Sequence, residues 1–526
     1  MNKTRYRLVF NRTRGMLVAV EETATGAGKK SGQTRAHSAS SRVLFTLRQL
    51  AFAALALAMP ALSSAQIAGG GAHAPNVIQT PNGIEQVNIN RPSGAGVSVN
   101  TYNRFDVQQR GAILNNSPTM VQSQLGGMIN GNPNFAPGQA AKVIVNQVNS
   151  ASASQFNGAL EVAGQRANVI LANPSGISVN GGTFINTSRA TLTTGTPNYA
   201  ADGSVSGFNV TGGNIAISGA GLNASDVDQV DLLSRAVQAN AAVYAKTNLN
   251  VVTGANSVDY NTLNATPIAG DGPAPGVSID VSNLGGMYAN RIVLVGTEAG
   301  VGISLKGITA AQSGDLVLTS AGKLVLAGQT NASGNIVASA QDIDNSGTTY
   351  AQQNAIENRD DTTATDTQAT TAIYGLGKVI LAGGKDANGN YTNAALIRNQ
   401  SALIESAGDM ELHAGQVTNT RTTMTTTGLN QPVDPALLDS LGISLSGCTS
   451  SVANGGKPDI GIKVSIGSSK SESQSKEDQT TQRGSNAQAG GTAAFVATNG
   501  DLTIAGSNVN ANDVVLGAKN QVNVTS

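Results

Sequence analysis

Residues 314–337 read GDLVLTSAGKLVLAGQTNASGNIV, and their pattern indicates the fold class of the chain. Twice within this stretch, a glycine followed by a polar residue precedes apolar residues that lie two positions apart, and the related unit Gly334-Asn335-Ile336-Val337 follows. Such alternation predicts short strands with one buried face. We therefore expect Leu324 and Leu326 to point inward and Val325 to point outward.

Similar units recur later in the chain, as GDMEL at 408–412 and as GDLTI at 500–504. Short glycine-bounded strands that repeat without helical segments are what the stacked coils of a solenoid need. We predict an all-β chain that forms a right-handed parallel β-helix (β-solenoid) with short extra-helical β elements. A β-sandwich is the competing all-β fold, and the likeness of the recurring units disfavours it.

The composition agrees with stacked coils. Charged residues make up 12% of the chain and aromatic residues 3%, there is no tryptophan, and glycine occurs 62 times. Stacking places equivalent side chains about 4.8 Å apart, so charges of like sign would repel each other whereas Asn and Thr can form ladders. The many β-branched apolar runs argue against disorder. The single cysteine, Cys448, excludes an internal disulfide.

The zero net charge hides an uneven distribution. Residues 1–48 contain ten of the 32 Lys and Arg residues but two of the 32 Asp and Glu residues. The remainder is therefore acidic and has no basic stripe, so we predict no nucleic-acid partner.

Motifs for catalysis and metal binding are missing from the sequence. There is no phosphate-binding loop and no Gly-x-Ser-x-Gly nucleophile elbow. His73 and His413 lack a cysteine or a second histidine at ligand spacing. Two acidic clusters could suggest a calcium-dependent polysaccharide lyase, but we expect them to be solvated surface: Asp226, Asp228 and Asp231, and Asp360, Asp361 and Asp366. We predict no enzyme activity, no cofactor and no metal site.

An export signal lies unusually far from Met1. Residues 50–62, LAFAALALAMPAL, are apolar but too short to span a bilayer, and basic residues precede them. Ser63-Ser64-Ala65 then supplies small residues for a signal peptidase, which predicts cleavage between Ala65 and Gln66.

The segment ahead of this signal, MNKTRYRLVFNRTRGMLVAVEE at 1–22, resembles the extended signal peptide region of large Gram-negative exoproteins. A mitochondrial-type presequence is the alternative for a basic start. Glu21-Glu22 and the later apolar core speak against it.

Motifs after the cleavage point occur in the order typical of one family. Residues 80–84 (TPNGI), 102–107 (YNRFDV) and 111–116 (GAILNN) resemble the opening of the two-partner secretion domain of filamentous haemagglutinins and contact-dependent inhibition exoproteins. Two candidate secretion motifs follow, Asn132-Pro133-Asn134-Phe135 and Asn173-Pro174-Ser175-Gly176-Ile177. The family has Leu where this chain has Phe135 and Asn where it has Ser175.

Each motif also has a physical interpretation of its own. Proline disfavours helix for the residue before it, an Asn side chain can bond the backbone two residues on, and Gly176 can adopt a positive φ. The motifs therefore predict tight turns between strands. In the family they are implicated in secretion, and the sequence leaves open whether they are recognised or only shape the turns.

The resemblance implies a domain organisation and a function. We expect an extended signal peptide at 1–65, a two-partner secretion domain at 66–310 and haemagglutinin-type repeats at 311–526. Polar loops or excursions from the helix at 352–371 and 467–491 should interrupt the repeats, and the strand pattern that runs to Ser526 suggests a truncated sequence.

The implied protein is a secreted or surface-exposed adhesin of a Gram-negative bacterium. Its expected partners are an outer-membrane transporter with periplasmic receptor domains and a receptor on host or neighbouring cells. The alternative function is the secretion and stalk portion of a contact-dependent growth inhibition toxin.

Overall fold

The computed structural model describes residues 6–11, 16–21, 66–347, 371–427 and 478–526. Two compact units divide the chain, Met1–Ser64 and Ala65–Ser526. The predicted signal core at 50–62, Ala65 and Cys448 lie outside the described residues. Within the described ranges, no helix has the length and apolar character needed to cross a bilayer.

The described residues of both units form strands and turns. The first unit contains the antiparallel hairpin of β1 (Tyr6–Asn11) and β2 (Met16–Glu21). In residues 66–347 the strands are β3 (Ile67–Gly69), β4 (Asn76–Gln79), β5 (Glu85–Asn88), β6 (Val97–Phe105), β7 (Ala112–Asn116), β8 (Val121–Ser123), β9 (Gly127–Ile129), β10 (Val143–Val148), β11 (Ser154–Phe156), β12 (Ala159–Gly164), β13 (Ala167–Ala172), β14 (Ile177–Val179), β15 (Gly182–Ile185), β16 (Thr187–Thr193), β17 (Thr196–Tyr199), β18 (Val205–Val210), β19 (Asn214–Ile217), β20 (Leu222–Ala224), β21 (Gln229–Ser234), β22 (Ala236–Ala239), β23 (Ala242–Ala245), β24 (Asn248–Thr253), β25 (Asn256–Asp259), β26 (Ala265–Pro267), β27 (Val277–Val281), β28 (Gly286–Ala289), β29 (Arg291–Gly296), β30 (Gly302–Leu305), β31 (Ile308–Ala311), β32 (Leu316–Ser320), β33 (Lys323–Leu326), β34 (Gln329–Ala332), β35 (Ile336–Ser339) and β36 (Asp342–Ser346).

The strands of the remaining ranges continue the same pattern. They are β37 (Ala372–Gly375), β38 (Val379–Ala382), β39 (Gly384–Lys385), β40 (Tyr391–Thr392), β41 (Ala394–Gln400), β42 (Leu403–Ser406), β43 (Met410–Thr420), β44 (Thr422–Thr427), β45 (Asp478–Arg483), β46 (Asn486–Ala489), β47 (Thr492–Ala497), β48 (Leu502–Ala505), β49 (Asn508–Asn510), β50 (Asp513–Ala518) and β51 (Val522–Thr525).

The second unit is a parallel β-helix with three faces, which confirms the predicted fold class. Each coil contributes one strand to each face, and every strand pairs in parallel with its equivalent in the next coil. The first face contains β6, β10, β13, β16, β21, β24, β29, β32, β35, β38, β47 and β50; the second β11, β14, β19, β22, β27, β30, β33, β36, β41, β48 and β51; and the third β5, β7, β12, β15, β20, β23, β28, β31, β34, β37, β42, β46 and β49. The long strand β43 turns the corner between the first and second faces.

The repeated sequence units form coil strands, as predicted. GDLVL leads into β32 and GDMEL into β43, both on the first face, whereas GDLTI leads into β48 on the second face. Leu324 and Leu326 of β33 are fully buried and Val325 is half-buried. The alternation read from the sequence therefore describes which side chains fill the interior.

Asparagines stack between coils along one inner row. Asn345 Nδ2 donates to Asn399 Oδ1 at 2.8 Å, and Asn399 Nδ2 donates to Asn419 Oδ1 at 2.9 Å. All three side chains are buried. Because each amide meets the next one in register, the ladder satisfies buried Nδ2 donors that would otherwise be costly inside the coil stack, while Asn345 Oδ1 at its start accepts no bond among the described residues.

Charges on the second face are compensated between successive coils. Asp344 faces Arg398 in the next coil and accepts hydrogen bonds from Arg398 Nε at 2.9 Å and Lys323 Nζ at 2.8 Å. Burial disfavours the charged form of Asp344, but these bonds and one from Ser346 outweigh it and lower the pKa of Asp344 to about 2. Opposite charges in register thus stabilise the stack.

Extra-helical elements cover part of the outside. The antiparallel strands β17, β18, β25 and β26 form a sheet whose Phe208 and Val258 pack with outward side chains of the first face, including Ile170 and Leu233. The hairpin of β8 and β9 covers the start of the third face. The third face beyond β12 carries no such covering sheet among the described residues.

The predicted loop at 467–491 is partly wrong. Asn486–Ala489 is β46, a strand of the third face in which Ala487 and Ala489 point inward. Alanine is small and the flanking residues are polar, so the hydrophobic pattern was too weak to mark a strand. β44 and β45 form an antiparallel pair outside the coils, as an excursion from the helix. Residues 352–370 of the other predicted loop lie outside the described residues.

Candidate functional site

The first candidate motif is a turn held from inside by Asn132. This side chain is 2% exposed, and its Nδ2 donates to the carbonyl oxygens of Ile89 and Asn115, both at 2.9 Å. Its Oδ1 accepts from the backbone amide of Asn134 at 3.0 Å, which is the predicted bond to the residue two positions on. Asn132 therefore ties the turn to the ends of two adjacent coils.

The other residues of this motif differ in exposure. Pro133 and Asn134 are exposed, whereas Phe135 is partly buried against the main core. Asn134 Nδ2 still reaches the carbonyl oxygen of Ile89 at 3.1 Å. The exposed tip of the first motif thus consists of Pro133 and Asn134.

The second candidate motif repeats this design between β13 and β14. Asn173 is fully buried, and its Nδ2 donates to Ser152 O at 2.9 Å and to Ser154 Oγ at 3.0 Å. Its Oδ1 accepts from the backbone amide of Ser175 at 2.9 Å. Two motifs at different corners of the helix therefore use one asparagine in the same way.

The rest of the second motif completes the turn. Gly176 has φ near +110°, as the sequence predicted, and a Cβ there would lie 3.1 Å from Asn214 O. Ile177 is buried and starts β14. Pro174 and Ser175 are exposed, although Ser175 Oγ donates to Ser150 O at 2.9 Å.

Both asparagine amides have their two donor bonds and one acceptor bond formed within the chain, and both lie away from solvent. The exposed residues of the two motifs are Pro133, Asn134, Pro174 and Ser175, which form the tips of the turns.

One buried carboxylate close to the first motif was missed by sequence reasoning. Glu161 on β12 is 3% exposed and accepts hydrogen bonds from Ser123 Oγ at 2.7 Å, Gln124 N at 2.7 Å and Leu125 N at 2.9 Å. It fixes the hairpin of β8 and β9 that leads to the motif. At this point the sequence contains only a single Glu in an apolar strand, and no pattern in it predicts that the residues at 123–125 would bind this carboxylate.

The expectation that all three carboxylates of the first acidic cluster are solvated is wrong for Asp231. This side chain is fully buried and accepts from Arg189 Nε at 2.6 Å and from Asn250 Nδ2 at 2.9 Å. Arg189 also lies 4.1 Å from the ring centroid of Tyr260, which belongs to the segment beyond β25. The ion pair therefore anchors the covering sheet to the first face.

No metal centre emerges from the described part of the chain. Asp228 is half-exposed and pairs with Arg166 and Lys246, each at 3.1 Å. Within the described ranges, no three His, Cys, Asp or Glu side chains converge in a way that could hold a metal ion. Asp360, Asp361 and Asp366 lie outside these ranges.

Comparison with protein families finds three matches in chain order. Residues 1–51 match the extended signal peptide of the type V secretion system, residues 65–326 the TPS secretion domain and residues 466–526 the hemagglutinin repeat.

Individual proteins agree with these matches. The chain is 58% identical over 338 residues to the tRNA nuclease CdiA-2 of Burkholderia pseudomallei and 43% identical over 364 residues to the Toxin CdiA of Yersinia pestis. These alignments cover 63% and 67% of this chain but 11% of each relative, so the chain spans about one tenth of their length. The crystal structure of a filamentous hemagglutinin secretion domain is 30% identical, with a TM-score of 0.47, and the match covers 60% of this chain and 97% of that one.

The leader, the secretion domain and the repeats follow one another as in exoproteins that an outer-membrane partner exports to the surface of Gram-negative bacteria. This chain belongs to the two-partner secretion exoproteins of the filamentous haemagglutinin and CdiA family.

Proposed function

We propose that the exposed tips of the two Asn-Pro turns are contacted by periplasmic receptor domains of the partner transporter, while the buried asparagines hold those tips in shape. The side-chain amides of Asn132 and Asn173 are buried and hydrogen-bonded within the chain, which supports a structural role for both residues. Both tips expose a proline, whose ring restricts the backbone, so a partner that binds there immobilises little additional conformational freedom.

The tip proposal can be tested by changing Pro133 and Pro174 together to alanine. Both rings are exposed, so the thermal midpoint should stay unchanged while release by cells carrying the transporter falls. A matched control is Pro267→Ala in β26, because this proline is also exposed and lies outside both motifs. Normal release of the double variant would refute recognition through the tips.

We further propose cleavage before Gln66, a secretion domain over 66–310 and repeats over 311–526. The last strand of the covering sheet is β26, and regular coils without excursions follow from β29 to β36, which supports a boundary near 310. N-terminal sequencing of released protein tests the cleavage point, and a start upstream of Leu50 would contradict it.

For the whole protein we propose an adhesin whose repetitive surface binds a receptor on host or neighbouring cells. One outward row of the third face supports this function. It places Asn223, Tyr244 and Tyr288 in register in successive coils, and Tyr374 follows further along. Tyrosine is enriched in protein interfaces because it offers a large amphipathic contact at low entropic cost.

Adhesion should depend on this row. Changing Tyr244 and Tyr374, which are 41% and 37% exposed, to serine should reduce cell attachment without changing secretion. Tyr199→Ser is a matched control, because Tyr199 is 38% exposed but lies on the covering sheet. Equal attachment of all three proteins would refute a role for the row.

The second candidate function is the stalk of a contact-dependent growth inhibition toxin. The identity to proteins named tRNA nuclease CdiA-2 and Toxin CdiA favours it. In that case the catalytic part would belong to regions that this chain does not cover, and residues 66–526 would only be exported and carry it. Co-culture with target cells decides between the functions, because a toxin lowers target viability and an adhesin only increases aggregation.

A further inference from the structure

The backbone at Gln66 is fixed against the first coils of the β-helix. Gln66 N donates to Glu85 Oε1 at 3.0 Å, and Gln66 O accepts from Asp106 N at 2.9 Å. The next residue, Ile67, is 1% exposed and belongs to the main apolar core. The first residue of the proposed mature chain thus sits at the edge of the N-terminal cap, where β3 pairs antiparallel with β6.

Glu85 has a hydrogen-bond donor at this place but no cation. It is half-buried and takes part in no ion pair of the described residues. Arg104, which faces Ala68 across the β3–β6 pairing, donates to Asp106 at 2.6 Å instead. A partly desolvated carboxylate that meets only an amide is less well compensated than one that meets a positive charge.

We infer that signal cleavage supplies this missing charge: the new α-ammonium of Gln66 forms an ion pair with Glu85 and fastens the cap. The inference rests on the proposed cleavage before Gln66. Hydrolysis of the Ala65–Gln66 peptide bond consumes one water molecule and leaves a carboxylate on Ala65 and an amine on Gln66. That amine takes up a proton at neutral pH, and its nitrogen is the atom that already lies 3.0 Å from Glu85.

Processing and capping are coupled by this pair. Before cleavage, Glu85 accepts from a neutral amide; afterwards it accepts from an ammonium, and charge-assisted hydrogen bonds are roughly twice as strong as neutral ones. The cap covers the end of the coil stack, where Ile67 would otherwise be open to water. The processed chain therefore holds its first coil more firmly than the unprocessed chain does.

The experiment uses protein released from cells that express the full chain and the transporter. One form has the natural sequence, and a second has two serines inserted between Ala65 and Gln66, which moves the terminal amine away from Glu85. Each form is made with and without Glu85→Gln. Glu405→Gln, a change of a half-exposed carboxylate on β42, is the matched control. Intact mass identifies each N-terminus, and hydrogen exchange measures protection of the backbone amides of residues 67–69 and 106.

We expect Glu85→Gln to accelerate exchange in these segments about fivefold in the natural form and less than twofold in the serine-extended form. Glu405→Gln should change neither form. An equal effect of Glu85→Gln in both forms would overturn the ion pair while leaving the cleavage site intact. A mass showing another N-terminus would overturn both. A mass lower by one ammonia, from ring closure of the terminal glutamine, would remove the ammonium and overturn the ion pair alone.

Discussion

Replacing Asn132 by alanine should destabilise the β-helix far more than replacing its exposed neighbour Pro133. The Asn132 side chain donates to the carbonyl oxygens of Ile89 and Asn115 and accepts from the amide of Asn134, with distances of 2.9, 2.9 and 3.0 Å. Alanine keeps the backbone path but removes all three bonds. The carbonyl oxygen of Asn115 and the amide of Asn134 then lose this partner beside a side chain that is 2% exposed. The carbonyl oxygen of Ile89 loses one of its two side-chain donors and keeps the bond from Asn134 Nδ2.

The expected cost follows from these three bonds. A typical hydrogen bond contributes about 1 kcal/mol net, and a buried group left without a partner costs about 1–3 kcal/mol. Water can reach the exposed tip, so the amide of Asn134 should recover part of its loss. We expect Asn132→Ala to lower the free energy of unfolding by about 3 kcal/mol. Pro133→Ala should change it by less than about 0.5 kcal/mol, as is usual for surface positions.

Two measurements on the same protein test this prediction. Urea unfolding of the released chain gives the loss of stability, and the amount released by cells that carry the transporter gives the effect on export. Asn132→Ala should lower both, because export fails as folding fails.

Two outcomes would refute the reasoning. Unchanged unfolding of Asn132→Ala would mean that the three bonds contribute nothing. Blocked release at full stability would mean that the asparagine itself is recognised, which its burial argues against.

Three further changes have outcomes that the structure determines. Asp344→Asn should destabilise the stack at pH 7, and this effect should disappear as the pH falls from about 4 to about 2. The reason is that the pKa of Asp344 is lower in the folded than in the unfolded chain, so its ion pairs stabilise the fold only above that pH range. Thermal melts across this pH range check the prediction. Arg189→Met should lower the free energy of unfolding by about 3–5 kcal/mol, because it removes the ion-pair partner of the buried Asp231. Arg166→Met breaks an exposed pair and should lower it by less than about 1 kcal/mol, and urea denaturation measures both values. Gly176→Ala should lower stability by about 1–2 kcal/mol because an L side chain disfavours φ near +110°, and an unchanged melting temperature would contradict this.

Local patterns in the sequence were sufficient to predict some of the strands and turns of the coils. The alternation around Leu324 and Leu326 gave the inward side chains of β33, and the Asn-Pro turns gave the bonds to the residue two positions on. Both depend on residues within a few positions of each other. These features could therefore be predicted from the chemistry of neighbouring residues alone.

Contacts between coils could not be predicted in the same way. Thr191 and Asp231 lie in register on β16 and β21, which brings Arg189 to Asp231 although a whole hairpin separates them in sequence. The register depends on how many residues each coil and excursion contains, and no local pattern encodes that number. Asp231 was therefore expected at the surface, and the strand β46 inside a polar segment was missed for a related reason.

The two Asn-Pro turns suit a helix that grows one coil at a time. The donor bonds of Asn132 reach Ile89 and Asn115, and those of Asn173 reach Ser152 and Ser154, all of which precede the asparagine in sequence. Each turn can therefore be completed against structure that earlier residues have already formed. A solenoid is stabilised mainly by contacts between neighbouring repeats, so every completed turn offers the next coil a finished edge. The same turns expose proline at their tips, so the buried asparagines that tie each turn to earlier residues also hold the exposed tips in shape.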